Sequence, residues 1–326
     1  MSKPTHELED GPALSSPNAN FASTSKTTRT DSPANLDSSW AGEDASTSLG
    51  ATHYLLIVLS ICGLEYSTEE IAMLRDGKEQ GRQAVFNVAG TWIVRIFELH
   101  DGFRRPASFL WSVLTQLESL GAAAERIRYH GVIPGTNLQY TVTMFVHGVP
   151  LTDERCSDPS VREQLVALQR SLRKISVPDT AGTVKHHMRP RLELLQRRVS
   201  VLSADVLEQV GKLACLSDFD DEKFKMVVSH CDLAPENIVG RFESESPSAT
   251  ISVIDWEFCN YVPEFRVEVQ LGSESGRLLL GADFLRKSGY GPYPDHVVWT
   301  EALCMIAEDY GDEDFEAQVL LALSVR

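Results

Sequence analysis

The sequence predicts an α+β fold, with a small antiparallel sheet in the N-terminal part and a larger, mostly helical C-terminal part. Three observations carry that expectation. Residues 83–88 and 91–97 are apolar runs of strand type on either side of Ala89-Gly90, the pattern of a hairpin. Residues 127–133 and 139–146 read as two further strands. Beyond residue 150 the period changes, and Leu165, Leu168, Leu172 and Ile175 recur at helical spacing within 161–175.

The elements follow in order. Residues 1–49 are rich in Ser, Thr, Asp, Asn, Ala and Pro without periodicity, so they cannot bury enough apolar surface to offset ordering entropy. A disordered tail is expected there. Structure should start near Gly50 with a helix over 52–64. Ser67-Thr68-Glu69-Glu70 then offers a helix cap with acidic first-turn residues. In the second hairpin strand, Trp92, Val94 and Ile96 share one face, and Ile93, Arg95 and Phe97 the other. A lone cation in an apolar strand needs a partner or an anionic ligand. Residues 106–120 read as a helix presenting Phe109, Val113, Leu114 and Leu117. Gly148-Val149-Pro150-Leu151 breaks the pattern and marks a boundary, giving a sheet-bearing unit over 50–148 and a helical one over 149–326. Further helices are expected within 187–202, 204–215 and 298–309.

Composition narrows the class. With 326 residues, 43% of them hydrophobic, the chain can bury a sizeable core. A formal charge of −16 argues against nucleic acid and is compatible with a cationic small molecule. The apolar run 54–64 is too short to cross a bilayer, so no membrane partner is expected. Six scattered cysteines without a C-x-x-C pair suit a reducing compartment, and a cytoplasmic location is the default expectation.

The chemistry concentrates between residues 228 and 258. Val228-Ser229-His230-Cys231-Asp232-Leu233-Ala234-Pro235-Glu236-Asn237 enters and leaves a loop between two strand-type runs. Eighteen residues past Asn237, Ile251-Ser252-Val253-Ile254 delivers Asp255 at the end of another. Phosphoryl transfer needs a carboxylate beside the acceptor hydroxyl, and an amide oxygen plus a second carboxylate to hold Mg²⁺ on the phosphates. Asp232, Asn237 and Asp255 can fill those three places, with His230 bracing the loop. The competing readings are a chance loop motif for His230 to Asn237 and a turn cap for Asp255. Glu257 divides evenly between a metal-proximal carboxylate and an exposed residue. Arg95 is a candidate phosphate clamp, because a guanidinium can grip two oxygens at once. Gly77 and Gly81 could form a loop over the phosphates or simply an ordinary turn.

Ser229 to Ile238, then Ile254-Asp255-Trp256-Glu257-Phe258 and Pro263-Glu264, resemble the aminoglycoside phosphotransferase family, most of all its divergent fungal members. They resemble the choline/ethanolamine kinases more distantly. A looser likeness covers 85–151. The resemblance implies a protein-kinase-like bilobal fold with ATP in the cleft and Mg²⁺ on Asn237 and Asp255. It implies Asp232 as base, Arg95 on the nucleotide phosphates, and an acceptor hydroxyl on a small metabolite bound by helices of 155–215 and 265–326. Two departures stand out. The helix over 106–120 lacks the early glutamate that would pair with the strand cation, Glu118 lying too late. Cys231 also replaces the commoner glycine, a tolerable change if the backbone there needs no positive φ. The missing glutamate motivates an alternative: a degenerate relative that binds nucleotide or a partner without turnover. A protein kinase is disfavoured, since no Asp-Phe-Gly or Ala-Pro-Glu follows.

Overall fold

A computed structural model describes residues 48–75, 83–99, 105–242, 249–272 and 280–324. Most of the expected tail, together with Gly77 and Gly81, lies outside the described residues. The first helix, α1 (Ser48–Ile61), starts two residues before Gly50.

The N-terminal part is a five-stranded antiparallel sheet. In chain order its strands are β1 (Ile71–Arg75), β2 (Gln83–Val88), β3 (Trp92–Glu98), β4 (Ile127–Val132) and β5 (Leu138–Met144). Their spatial order is β1-β2-β3-β5-β4. The expected hairpin is β2–β3, and Ala89 and Gly90 turn it with φ of 53° and 62°. One face of the sheet packs on α1 through Leu55, Val58, Phe86, Val94 and Ile96, all essentially buried. Helix α2 (Ala107–Ser119) packs on β4 and β5 through Leu110, Val113, Leu114 and Leu117. Strand β1 departs from expectation. Glu70 does reach back to the Ser67 backbone N–H at 2.9 Å, but it closes a single 3-10 turn. The residues that follow pair with β2 instead of continuing as a helix.

In the C-terminal part, β6 (Val149–Pro150), β8 (Ile238–Phe242) and β9 (Ala249–Val253) form a three-stranded sheet, and β7 (Met226–Ser229) pairs with β10 (Asn260–Pro263). Eight helices surround them among the described residues: α3 (Asp153–Cys156), α4 (Pro159–Leu172), α5 (Val184–Val199), α6 (Ala204–Val210), α7 (Glu264–Gly272), α8 (Gly281–Ser288), α9 (Asp295–Asp309) and α10 (Asp312–Ser324). Helix α4 starts because the Asp158 carboxylate accepts the Ser160 N–H at 2.8 Å and Pro159 suits the first turn. Helix α6 stops short of the expected residue 215, since Gly211 takes a φ of 70° at its end. Side chains of α2, α4, β7, β8 and β9 share one core, including Leu117, Leu165, Val228, Ile238 and Val253.

Helices α5, α7 and α9 enclose a charged cluster. Arg191 is ion-paired with Glu301, which is fully buried, and with Glu308; Arg266 reaches both at 3.5 and 3.4 Å. His187 lies beside this cluster. Burial, then Arg191 and Arg266, pull its pKa down from 6.5 to about 3.

Two stability predictions follow from this packing. Phe86→Ala should cost about 3–5 kcal/mol by urea denaturation, whereas Leu321→Ala on the exposed side of α10 should change stability by less than about 0.5 kcal/mol. His187 is neutral in the folded chain where the unfolded chain would take up a proton. Its contribution is therefore complete above pH 6.5 and is lost as pH falls toward 3. His187→Leu should remove up to about 1.4 kcal/mol per pH unit of the slope in that window, read from urea midpoints.

Candidate active site

The loop between β7 and β8 is held in shape by its own polar atoms. Asp232 donates its backbone N–H to His230 Nδ1 at 3.3 Å, and His230 Nε2 lies 2.9 Å from the Ile254 carbonyl. With Nδ1 accepting, the ring proton belongs on Nε2, where it can be donated to that carbonyl. Burial lowers the His230 pKa, which agrees with a neutral ring. The imidazole thus braces the loop against the segment entering Asp255. Asn237, also buried, donates through Nδ2 to the Asp232 carbonyl at 2.8 Å and to its Oδ2 at 3.1 Å. With the nitrogen so engaged, Oδ1 is directed to the other side of the amide. The Asn237 carbonyl in turn accepts the Ile254 N–H at 2.9 Å. One side-chain and one backbone hydrogen bond therefore join the loop to residue 254, next to Asp255.

Asp255 sits just past β9 with φ 63° and ψ 56°, the left-handed region. It makes no side-chain cap to the following turn, Trp256–Phe258, so the cap reading fails. Its Oδ1 instead lies 3.6 Å from Arg95 Nη2. The donor set of one carboxylate and one amide oxygen matches what a Mg²⁺ ion sharing phosphate oxygens requires. Among the described residues no three His, Cys, Asp or Glu side chains gather as a self-sufficient metal cage.

Arg95 corrects an expectation. The strand cation does have a glutamate partner, and it comes from beyond the helix. Arg95 Nη1 lies 3.2 Å from Glu125 Oε2 and donates to Thr143 Oγ1 at 3.2 Å. Glu125 is placed by a short parallel bridge between Ala124 and Val253, in which Glu125 N–H donates to the Val253 carbonyl and Val253 N–H to the Ala123 carbonyl, both at 2.9 Å. Burial would lower the Arg95 pKa, but Glu125 and then Asp255 raise it, so the guanidinium is charged. Glu118 faces elsewhere, as expected, and pairs with Arg128 at 2.9 Å. Sequence reading missed Glu125 because it follows Gly121-Ala122-Ala123-Ala124, a stretch without periodicity or motif.

For Cys231 and Glu257 the sequence left the outcome open. Cys231 has a φ of 63°, so the backbone does require a positive φ there, and a side chain is carried in a conformation that favours glycine. Glu257 is buried rather than exposed, with Arg75 Nη1 at 3.3 Å from its Oε1.

Two cavities flank this frame. One, of about 270 Å³, is lined by Val85, Ile93, Arg95, Glu125, Met144, Phe145 and Asp255. The other, of about 210 Å³, is lined by Gln169 of α4, Ser229, Asp232, Gln270 of α7, and Met305 and Asp309 of α9. Burial raises the Asp309 pKa.

A model described as the phosphotransferase enzyme family matches residues 76–263. No curated protein matches the sequence. Among solved structures, the GDP complex of wild-type aminoglycoside 2'-phosphotransferase-IIIa superposes with a TM-score of 0.57 at 16% identity, over 84% of this chain and 97% of that one. The GDP and kanamycin complex of APH(2")-IIia gives 0.56 at 15% identity, over 83% and 97%. A Plasmodium vivax ethanolamine kinase gives 0.48 at 13%, over 78% and 82%. The first two show the fold: an antiparallel sheet followed by a helical part, as in protein-kinase-like enzymes. The family match covers more than half of the chain, which belongs to the phosphotransferase enzyme family. That membership supports the expected class, a small-molecule kinase. No helix among the described residues is long and apolar enough to cross a membrane.

Because Glu125 neutralises a buried cation, Glu125→Ala should destabilise the protein by about 3 kcal/mol in urea. Glu118→Ala, which breaks only a partly exposed pair, should cost less than about 1 kcal/mol.

Proposed function

We propose that this phosphotransferase-family chain moves the γ-phosphate of ATP onto a hydroxyl of a small metabolite, with Asp232 as base and Asn237 and Asp255 as the Mg²⁺ ligands. The observation that carries the reading is the continuous frame running from Asp232 through Asn237 and residue 254 to Asp255 and Arg95. On this reading the frame holds a base, two hard oxygen donors and a fixed cation about one transfer site.

Each group has work suited to its setting. The larger cavity takes the nucleotide: Val85, Ile93 and Met144 offer apolar walls for a base, Phe145 leads out of β5, and Arg95 stands at the phosphate end. Arg95 arrives preorganised between Glu125 and Asp255, so little side-chain entropy is lost when it takes phosphate oxygens. Bound Mg²⁺ supplies charge neutralisation on those oxygens. Asp232, fixed by Asn237 on one side and His230 on the other, orients the acceptor hydroxyl in line and takes its proton late in transfer. His230, buried and neutral, holds the loop and carries no proton.

The acceptor enters the cavity beside Asp232. At about 210 Å³ that space suits a small alcohol, and Asp232 and Asp309 in its lining suit one bearing a positive charge. The solved relative holding kanamycin binds an aminoglycoside; here the acceptor is proposed to be smaller. The alternative of a binder without turnover rested on a missing glutamate, and Glu125 removes that ground.

Asp232→Ala should reduce transfer by at least about 10³-fold while leaving the nucleotide Kd within a few-fold of wild type. Asp255→Ala should instead weaken Mg²⁺–nucleotide binding. Phosphorus NMR of ATP, Mg²⁺ and a panel of small alcohols reads the first, and calorimetry the second. Undiminished transfer by Asp232→Ala, or nucleotide binding without transfer to any alcohol, would refute the assignment.

A further inference from the structure

Arg75 ends β1, the edge strand of the sheet, and its position depends on an irregularity. Ile71, Ala72 and Met73 pair with Val88, Asn87 and Phe86, but the register then shifts and Arg75 pairs with Val85. Without the extra residue, Leu74, Arg75 would fall opposite Ala84, which is buried on the α1 face of the sheet. Bulges beside functional sites commonly re-aim a side chain in this way. Because Val85 also pairs with Arg95, the two arginines sit in one row across three strands, on the same face. At the usual strand spacing their Cα atoms are about 10 Å apart. Both line the cavity that contains Glu125 and Asp255.

The partners repeat the same arrangement. Arg95 is held by Glu125 at 3.2 Å and Arg75 by Glu257 at 3.3 Å. Both carboxylates are buried, with side-chain exposures of 4% and 7%, whereas Arg75 keeps 40%. Glu257 lies two residues from Asp255, so the contact joins the sheet's outer strand to the segment proposed to carry the metal. A guanidinium has donors on two edges, and one edge can keep a carboxylate while the other meets a phosphate oxygen.

We propose that Arg75 is a second phosphate-binding cation, aimed into the cleft by the bulge at Leu74 and positioned by Glu257 as Arg95 is by Glu125. It would take an oxygen of the nucleotide's terminal phosphates, opposite Arg95. The inference rests on the reading of the larger cavity as a nucleotide site.

The test is calorimetric binding of ATP, ADP and adenosine to the full chain with Mg²⁺ present. Arg75→Ala should weaken ATP about tenfold or more and leave adenosine within twofold, because only phosphate contacts are lost. Glu257→Gln should weaken ATP by a few-fold through loss of positioning, and should add nothing in the Arg75→Ala background. Arg75→Lys should recover part of the loss. If Arg75→Ala shifts ATP and adenosine by the same factor, or shifts neither, the pair is only a structural tether and the inference falls alone. If the wild type binds no nucleotide, it falls together with the proposed function.

Discussion

A buried positive charge in the middle of a sheet organises this molecule. Arg95 is 8% exposed on a strand whose neighbours Val94 and Ile96 are fully buried, and an unpaired cation there would cost several kcal/mol. Its two carboxylate partners come from separate stretches of chain: Glu125 after α2, and Asp255 after β9. Satisfying one side chain therefore fixes three segments against one another. The parallel bridge at Ala124 and Val253 exists at the place where that requirement is met. The attraction within the triad is a poor source of net stability, since desolvation offsets much of it. Its consequence is specificity of arrangement: register errors in β3, or displacement of the segment after α2, strand a charge.

The second constraint is backbone strain on both sides of the cleft. Cys231 and Asp255 each adopt a φ of 63°, a region costing an ordinary residue about 1–2 kcal/mol. Neither departure is isolated. His230 and Asn237 bond to the two peptide groups of residue 254, so the strained loop and the strained strand exit are clamped through the same residue. Tight polar bonding is what makes such conformations persist. Asp tolerates the left-handed region better than Cys does, which makes Cys231 the more costly of the two.

Legibility in the sequence followed the distance over which each feature is determined. The β2–β3 hairpin and helix α4 were readable because a two-residue turn and a helical period are local, and the structure keeps both. The strand–loop–strand frame around Asp232 and Asp255 was readable because motif spacing encodes it, and the structure joins the loop to residue 254. Glu125 was not, because nothing near residue 125 signals a bridge to residue 253. Strand β1 was misjudged for a related reason: the Ser67–Glu70 pairing is common to helix starts and single turns, and only β2 decides between them. Positive φ at Cys231 was left open, since a cysteine side chain does not signal it.

Charge within the cleft bears on the order in which ligands could enter. Two arginines, Arg75 and Arg95, line the larger cavity with Glu125 and Asp255, and Glu257 holds Arg75. Arg75 pairs with Glu257, and Arg95 with both Glu125 and Asp255, so two positive charges stand against three negative ones where an incoming triphosphate would bind. Polyphosphate alone would bring like charges together in a partly desolvated space, where their repulsion is stronger than in water. Under the proposed function, a nucleotide carrying Mg²⁺ would largely avoid that repulsion, with Asp255 as one of the residues holding the metal. On the proposed reading, Mg²⁺ would favour nucleotide binding as well as transfer, and Asp255 would disfavour the bare nucleotide.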